Sequence, residues 1–289
     1  MHFILNKPGL LASLALSGIL SMQDAGAATI ASPADESLQT ETAPQWTLVT
    51  AFSHSFFNRN YDSWHKESVE LYYYLPDIKV LLGTSMDFEE RSASRSDLVY
   101  GFNARWYATK PLQLHSGIKL TDDADFLPGE RYTLGMQYRV NPELELLFDV
   151  ERLEFQDQVA IWDDGITQIK PGFTWWMNEH NRVTLRYIHG WVHDHSDFDY
   201  YSAKFHFADL IRDGVLSVGL AYGSDPDFGF GSTATTLTDA YILSVFYTEP
   251  IKENLKIIVG IEYVYRLRPD NNRELYQMLT PTIGLSWNF

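Results

Sequence analysis

The stretch YIHGWVHDHSDFDYY, residues 187–201, carries the residue types best suited to chemistry. His193 and His195 lie two positions apart, so on a strand they would share a face and could clasp a metal ion. An Asp–His pair could also activate water for hydrolysis. However, no serine-centred motif accompanies the histidines, and Trp191 and Tyr200 are typical of an interfacial aromatic belt. We therefore favour a solvated rim, with a metal site and a hydrolase as alternatives, and we expect no cofactor and no enzymatic activity.

Basic residues recur at alternate positions and share one polar face with several acids. Strand 143–155 carries an acidic stripe opposite Arg139 and Lys170, so cross-strand ion pairs are expected. Two interpretations stay open: ion pairs that fill and rigidify an interior, or a basic ladder that favours an anionic polymer or solute, as charged rings do in pores. The residues that could contact a solute are Arg105, Lys119, Arg131, Arg139, Lys170, Arg182, Arg186 and Lys204.

Strands must position these residues, because the dominant hydrophobic period from Gln45 onward is two. The segments are roughly ten residues long or more, which matches a tilted strand that crosses the hydrocarbon layer of a bilayer. Strands of soluble proteins average only about five or six residues. The predicted strands are 45–57, 63–75, 78–90, 96–108, 112–122, 130–140, 143–155, 166–177, 182–194, 198–208, 214–224, 239–248, 254–268 and 276–289.

The connections between these strands alternate in length. Turns such as TKP and NPE alternate with longer segments such as RSASRS, DADFLPGE and SDPDFGFGSTATTLTD. Outer-membrane barrels have short periplasmic turns, longer external loops and an even strand count. A β-sandwich also alternates polar and apolar faces, but strand length and loop alternation favour the barrel. We predict an all-β, transmembrane, antiparallel up-and-down β-barrel of about 14 strands (roughly 12–16), with its N-terminus in the periplasm.

Composition and the N-terminal segment agree with this fold. The chain has 289 residues, no cysteine and a formal net charge of −16, which argues against a nucleic-acid partner. Lys7, a short apolar core and Ala25-Gly26-Ala27 form the layout of a secretory signal. We therefore predict a signal peptide over 1–27, a flexible acidic leader over 28–44, and the barrel over 45–289.

Glycines recur on the polar face of many predicted strands. A glycine inside a strand marks a bend or a close approach to the backbone. We favour slots for aromatic rings from neighbouring strands, or relief of curvature, over room for a passing chain. The glycines are Gly83, Gly101, Gly117, Gly135, Gly172, Gly190, Gly219, Gly260 and Gly284.

Residues 97–289 resemble the YaiO-type outer-membrane β-barrel family. The resemblance rests on FNARWY…LQLHSGI, on SVGLAYGSDPDFG, on LTDAYILSVFYTEPIKENLKIIVGIEYV and on the closing LTPTIGLSWNF. Phe289, preceded by Trp287 and Leu285, is similar to the C-terminal signal that the barrel-assembly machinery recognises. The resemblance implies an outer-membrane protein, with some relatives proposed as export barrels of exopolysaccharide systems, and it brings no catalytic residues.

These observations predict a passive porin in the outer membrane of a Gram-negative bacterium, which exports a polysaccharide or another polar or anionic solute. A closed-lumen structural or surface-binding barrel is the alternative, and an outer-membrane hydrolase that uses the His/Asp segment is a third. The expected partners are outer-membrane lipid and lipopolysaccharide, the assembly machinery, and periplasmic components of polysaccharide export. No nucleic acid is expected.

Overall fold

The computed structural model describes residues 46–58, 63–92, 95–122, 124, 127–155, 165–192, 197–209, 213–226, 237–268 and 273–289, which form a closed antiparallel barrel. Each strand pairs with its neighbours in sequence, and the last strand pairs with the first. The strands are β1 (Trp46–Phe57), β2 (Trp64–Leu75), β3 (Val80–Ser92), β4 (Arg95–Trp106), β5 (Leu112–Asp122), β6 (Glu130–Asn141), β7 (Leu144–Glu154), β8 (Ile166–Trp176), β9 (Asn181–Val192), β10 (Phe198–Ala208), β11 (Val215–Pro226), β12 (Leu237–Lys252), β13 (Leu255–Leu267) and β14 (Glu274–Asn288).

The predicted fold is confirmed, with a closed barrel of fourteen strands. Most boundaries agree with the predicted ones within two residues, and two differences change the connections. β12 continues past the predicted end at 248 to Lys252, because Pro250 is accommodated at a register shift in its pairing with β13. RSASRS was expected to form a longer external segment, but β3 reaches Ser92 and β4 begins at Arg95, so only 93–94 connect them. The predicted signal peptide and leader lie outside the described residues.

β1 and β14 close the barrel. The backbone N–H of Trp46 donates to the carbonyl of Phe289 at 3.2 Å, and the N–H of Phe289 donates back to Trp46 at 3.0 Å. Inside, the Thr47 hydroxyl donates to the Asn288 side-chain oxygen at 3.0 Å. The terminal aromatic residue therefore belongs to the last rung of a ladder, and no strand edge is left unpaired.

The two faces of the sheet have inverted polarity compared with a soluble protein. Large apolar side chains cover the outside: Leu134 is 64% exposed, Phe102 57% and Ile283 53%. Inside, Lys170 and Asp149 are fully buried. An apolar exterior around a polar interior is the arrangement that a lipid environment requires. Among the described residues, no helix is long and apolar enough to cross a membrane.

Two ends of the barrel differ in their connections. At the short-turn end, the strands are joined by 76–79, 107–111, 142–143, 177–180, 209–214 and 253–254, and both chain ends of the barrel lie there. Asparagine side chains build two of these turns: the Asn141 side-chain oxygen accepts the N–H groups of Glu143 and Leu144, and Asn178 binds His180 and Asn181 in the same way. At the opposite, long-loop end, the connections are 58–63, 93–94, 123–129, 155–165, 193–197, 227–236 and 268–273.

Several glycines on the inner face receive side chains from adjacent strands. A Cβ at Gly190 would lie 2.1 Å from the Phe198 ring, and one at Gly260 would lie 2.1 Å from the Phe246 ring. The expected slots for aromatic rings are therefore present at these two positions. Other glycines make room for polar groups, and these determine how the charged interior is packed.

Candidate functional site

The inner wall of the barrel is the candidate site, and its two sides differ in character. Long charged side chains project inward from β2 to β9. The opposite side, formed by β10 to β14 and β1, also carries Lys204, Lys256, Glu262 and Arg266 on its inward rows. Its other residues near mid-height are mostly small or hydroxyl-bearing, and they include Ser202, Ser217, Gly219, Ser244, Gly260, Thr282, Gly284 and Ser53. The lumen is therefore asymmetric, with a charged wall that faces a wall of small residues.

Glu151 on β7 holds two cations at the long-loop half of the charged wall. The Lys170 ammonium donates to Glu151 Oε2 at 2.8 Å, and Arg131 Nε lies 3.3 Å from Oε1. Lys170 and Glu151 side chains are only 1% and 2% exposed. The expected pairing of Lys170 with the acidic strand is thus present. Arg139, the other expected partner, faces Glu145 across the strands and interacts with it electrostatically. Its guanidinium donates to the backbone carbonyls of Asn141 and Pro142, at 3.3 and 2.7 Å.

Asp149 is the centre of a second buried network. It accepts a hydrogen bond from Arg186 Nη1, and His115 Nε2 lies 2.7 Å from its other oxygen. Two glycines make the space: a Cβ at Gly135 would overlap Asp149 and His115, and one at Gly172 would lie 2.7 Å from Arg186 Cγ. Arg186 on β9 therefore crosses β8 over a glycine to reach Asp149 on β7.

A third group of ion pairs lies on β2, β3 and β5. Lys66 donates to Glu89 at 2.8 Å and lies 3.6 Å from Asp87. Lys119 donates to the same Asp87 carboxylate at 3.0 Å. Lys119, part of the predicted ladder, is therefore neutralised locally. It remains 31% exposed, in contrast to the fully buried lysine on β8.

The remaining basic residues occupy other levels of the lumen. Arg105, Arg139 and Arg182 lie near the short-turn end of β4, β6 and β9. The guanidinium carbons of Arg182 and Arg139 lie 4.8 and 5.7 Å from the centre of the Trp176 ring. Lys204 is half-buried at mid-height of β10, opposite Thr184 and Gly219. The predicted basic residues thus lie in separate groups at several levels of the lumen rather than in one continuous ladder.

A small cavity lies between the two walls in the long-loop half. It encloses about 40 Å³ and is lined by residues that include Ser53, Lys66, Glu89, Phe246, Glu262 and Thr280. A single water needs roughly 10–15 Å³ on this measure, so the cavity has room for a few waters. Hydroxyls, carboxylates and an aromatic ring surround it, which is a lining suited to polar solutes.

The histidine segment is only partly described. His193 and His195, the candidate metal ligands, lie outside the described residues. His189 Nδ1 lies 2.8 Å from Asp199, which also accepts a hydrogen bond from Tyr187. These side chains point to the outside of the barrel, beside Trp191. Within the described ranges, no group of His, Cys, Asp and Glu could hold a metal ion.

Some features of the lumen were not anticipated from the sequence. Gln113 and Gln137 are fully buried cross-strand neighbours on β5 and β6, and only their alternate position would have indicated this. The long-loop end of the lumen also carries two apolar clusters. One contains Leu153, Phe155, Ile166, Val192 and Phe198, and the other contains Trp64, Val264, Tyr276 and Met278.

The fold is similar to that of solved outer-membrane barrels. The outer membrane protein Omp33 of Acinetobacter baumannii has a TM-score of 0.53 at 11% identity, over 86% of this chain and 100% of that one. The TodX deltaS2S3 mutant, a monoaromatic hydrocarbon channel, gives 0.61 at 11% identity, over 92% and 95%. A bacterial polysaccharide outer membrane secretin gives 0.57 at 10% identity, over 86% and 100%.

No protein-family model and no curated protein sequence matches this chain. The resemblance to the YaiO-type family therefore stays a prediction, while the likeness to outer-membrane barrels is established for the fold.

Proposed function

We propose that this protein is a passive channel of the Gram-negative outer membrane for a polar solute, and that the solute is an exported polysaccharide. The observation that carries the proposal is the asymmetric polar lumen inside an apolar, closed barrel. Side chains that are charged or hydroxyl-bearing face the interior on both walls, where lipid cannot reach them. A polar interior of this kind is useful when polar molecules must pass.

The proposed route runs along the wall of small residues. Ser53 and Ser202, which are half-buried on this wall, supply hydroxyls that exchange hydrogen bonds with a hydroxyl-rich chain. The charged wall keeps its carboxylates and cations paired, as at Glu151, so a passing chain is not held tightly. Conduction needs binding that is favourable enough for entry and weak enough for exit, and this division of the lumen meets both needs.

The comparisons support both parts of the proposal, the channel and the polysaccharide as its solute. TodX, a monoaromatic hydrocarbon channel, shares the barrel fold, and it supports a channel. The bacterial polysaccharide outer membrane secretin also shares the fold, and it supports the more specific assignment. In the proposed orientation, the short-turn end faces the periplasm and its export components, and the long-loop end faces lipopolysaccharide.

Planar-bilayer recording tests the channel. The purified full chain, reconstituted without a partner, should give discrete conductance steps, and neutral oligosaccharides added to one side should reduce the current reversibly. Absence of current from protein that is folded by heat-modifiable gel mobility would refute the channel. A matched triple variant, Arg131→Gln with Arg182→Gln and Arg186→Gln, should shift ion selectivity away from anions if the basic clusters contribute to it.

A closed-lumen barrel that acts through its surface is the second candidate. It is favoured by the packing of the charged wall, where Lys170, Asp149, Gln113 and Glu145 are at most 1% exposed. If these side chains seal the lumen at every level, the same recording will show a silent bilayer. Surface binding would then be tested by attachment of the folded barrel to lipopolysaccharide-coated particles.

A further inference from the structure

A row of tyrosines crosses the outer, lipid-facing side of β9 to β13 in the long-loop half of the barrel. Each one faces the next across adjacent strands. We name it the tyrosine row; its members are Tyr187, Tyr201, Tyr222, Tyr241 and Tyr265. The ring centres of the first two lie 5.3 Å apart, and those of the last three are separated by 4.7 and 6.3 Å. Because tyrosine rings concentrate at the membrane–water interface, the tyrosine row indicates the depth of the lipid headgroups on this side.

A groove of about 700 Å³ opens beside the tyrosine row, on the side toward mid-height of the barrel. Tyr201 and Tyr222, which are 56% and 47% exposed, line its upper part. Below them, the small side chain of Ala203 leaves space between Leu185 and Leu220, its neighbours on the adjacent strands. A volume of roughly 300–1,000 Å³ with an apolar and aromatic lining is typical of a small-molecule site. Since this face of the barrel lies in the bilayer, the molecule that fits the groove is an acyl chain.

Polar side chains stand on the other side of the tyrosine row, toward the long-loop end. His189 Nδ1 lies 2.8 Å from Asp199 Oδ1, and the Tyr187 hydroxyl donates to the same oxygen. The Asp199 side chain is 52% exposed, and on β11 and β12 Ser224 donates to Asp239. This polar level is four residues, roughly 13 Å, from the level of the groove. A single lipid can therefore reach both levels, with its acyl chain below the tyrosine row and its headgroup above.

We propose that the groove and the polar side chains above it form a binding site for lipopolysaccharide, in which one acyl chain of the lipid A part lies over Ala203, between Tyr201 and Tyr222. Hydroxyl and amide N–H groups of the lipid A sugars donate to Asp199 and Asp239, because an ionised carboxylate can only accept hydrogen bonds. A phosphatidylcholine headgroup has no such donors. The choice of leaflet rests on the orientation proposed above, whereas binding itself needs neither conduction nor an open lumen.

Native mass spectrometry of the full chain, folded in detergent micelles, tests the site. Lipid A and a phosphatidylcholine with acyl chains of matched length are the two probes. One lipid A molecule should bind per barrel, about tenfold more tightly than phosphatidylcholine, because only lipid A supplies headgroup donors. Equal binding of the two lipids, or no binding of lipid A, would overturn the proposal. A dimer that excludes lipid A would also overturn it, because a second copy of the chain would then occupy the groove.

Variants locate the bound lipid. Ala203→Leu should weaken lipid A binding about tenfold, because the larger side chain excludes roughly two methylene groups of the acyl chain. Ala104→Leu on β4 is the matched control, since Ala104 is also half-buried on the outward face. Asp199→Asn should weaken binding about tenfold as well, whereas Glu67→Gln, at an exposed outward position of β2, should not. If each variant lost as much binding as its control, the lipid would be adsorbed over the whole surface and the site would be rejected.

Conductance separates this site from the proposed channel. The substituted side chains lie on the outside of the barrel, so Ala203→Leu and Asp199→Asn should give the same current as the unsubstituted protein. Lipid A binding together with a silent bilayer would reject the channel and keep the site. Current from a barrel that binds no lipid A would keep the channel and reject the site.

Discussion

Glu151 neutralises two cations in the lumen, so its removal should destabilise the barrel. Glu151→Gln keeps the volume and deletes the negative charge. Lys170, which is 1% exposed, then loses the negative charge that its ammonium contacts at 2.8 Å. Arg131, at 18% exposed, can still turn toward water.

The magnitude follows from this burial. Breaking a buried ion pair by removing one partner costs about 3–5 kcal/mol, because the remaining charge is left uncompensated in a low-dielectric environment. Replacing both partners by apolar residues of similar volume is often neutral or stabilising. The double variant Glu151→Leu with Lys170→Met should therefore recover most of the stability that Glu151→Gln loses.

Urea unfolding in lipid vesicles, followed by tryptophan fluorescence, measures these differences. Glu154→Gln is the control, because its pair with Arg152 lies on the surface with side chains 41% and 37% exposed, and such pairs contribute about 0–1 kcal/mol. If Glu151→Gln costs no more than Glu154→Gln, or if the double variant is as unstable as the single one, the buried network does not stabilise the barrel as argued.

Three further predictions concern packing, assembly and the rim. Gly190→Ala should destabilise the barrel by about 1–3 kcal/mol, because the new methyl group overlaps the Phe198 ring. Gly117→Ala should be close to neutral in the same urea assay, because the nearest atom to its new methyl group would be 3.5 Å away. Phe289→Ser should reduce the amount of folded barrel in outer-membrane fractions more than it changes refolding of the pure protein, and equal effects would argue against an assembly signal. His193→Ala combined with His195→Ala should leave conductance and metal content of the purified protein unchanged.

The architecture of this barrel follows from simple periodicity. A strict period of two over segments of about ten residues determines both the strand direction and the face of each residue. The closing strand could be predicted in the same way, since its apolar residues alternate up to Phe289. The predicted end of the twelfth strand at 248 was wrong, because β12 continues through Pro250 to Lys252. The register shift beside it lets the strand continue.

The depth of residues within the lumen was not predictable from the same pattern. Alternation assigns Leu153 and Phe198 to the inward face, but it says nothing about distance along the barrel axis. Both lie at the long-loop end, in an apolar cluster with Phe155, Ile166 and Val192. Side-chain type therefore changes along the barrel axis as well as between the two faces of the sheet. A period of two in the sequence predicts the change between faces but not the change along the axis.

Which residues form ion pairs depends more on the glycines between them than on which residues face each other on adjacent strands. Asp149 faces Lys170 in the register, yet it bonds to Arg186 from the strand beyond, while Lys170 turns to Glu151. The exchange is possible because Gly172 leaves a gap in the intervening strand through which the arginine reaches. Glycines that could have widened the lumen for a passing chain are instead used here by the protein's own side chains. The ion pairs of the charged wall thus form where long side chains extend across glycines on the intervening strands. The width of any channel is determined by how far those side chains extend toward the small residues opposite.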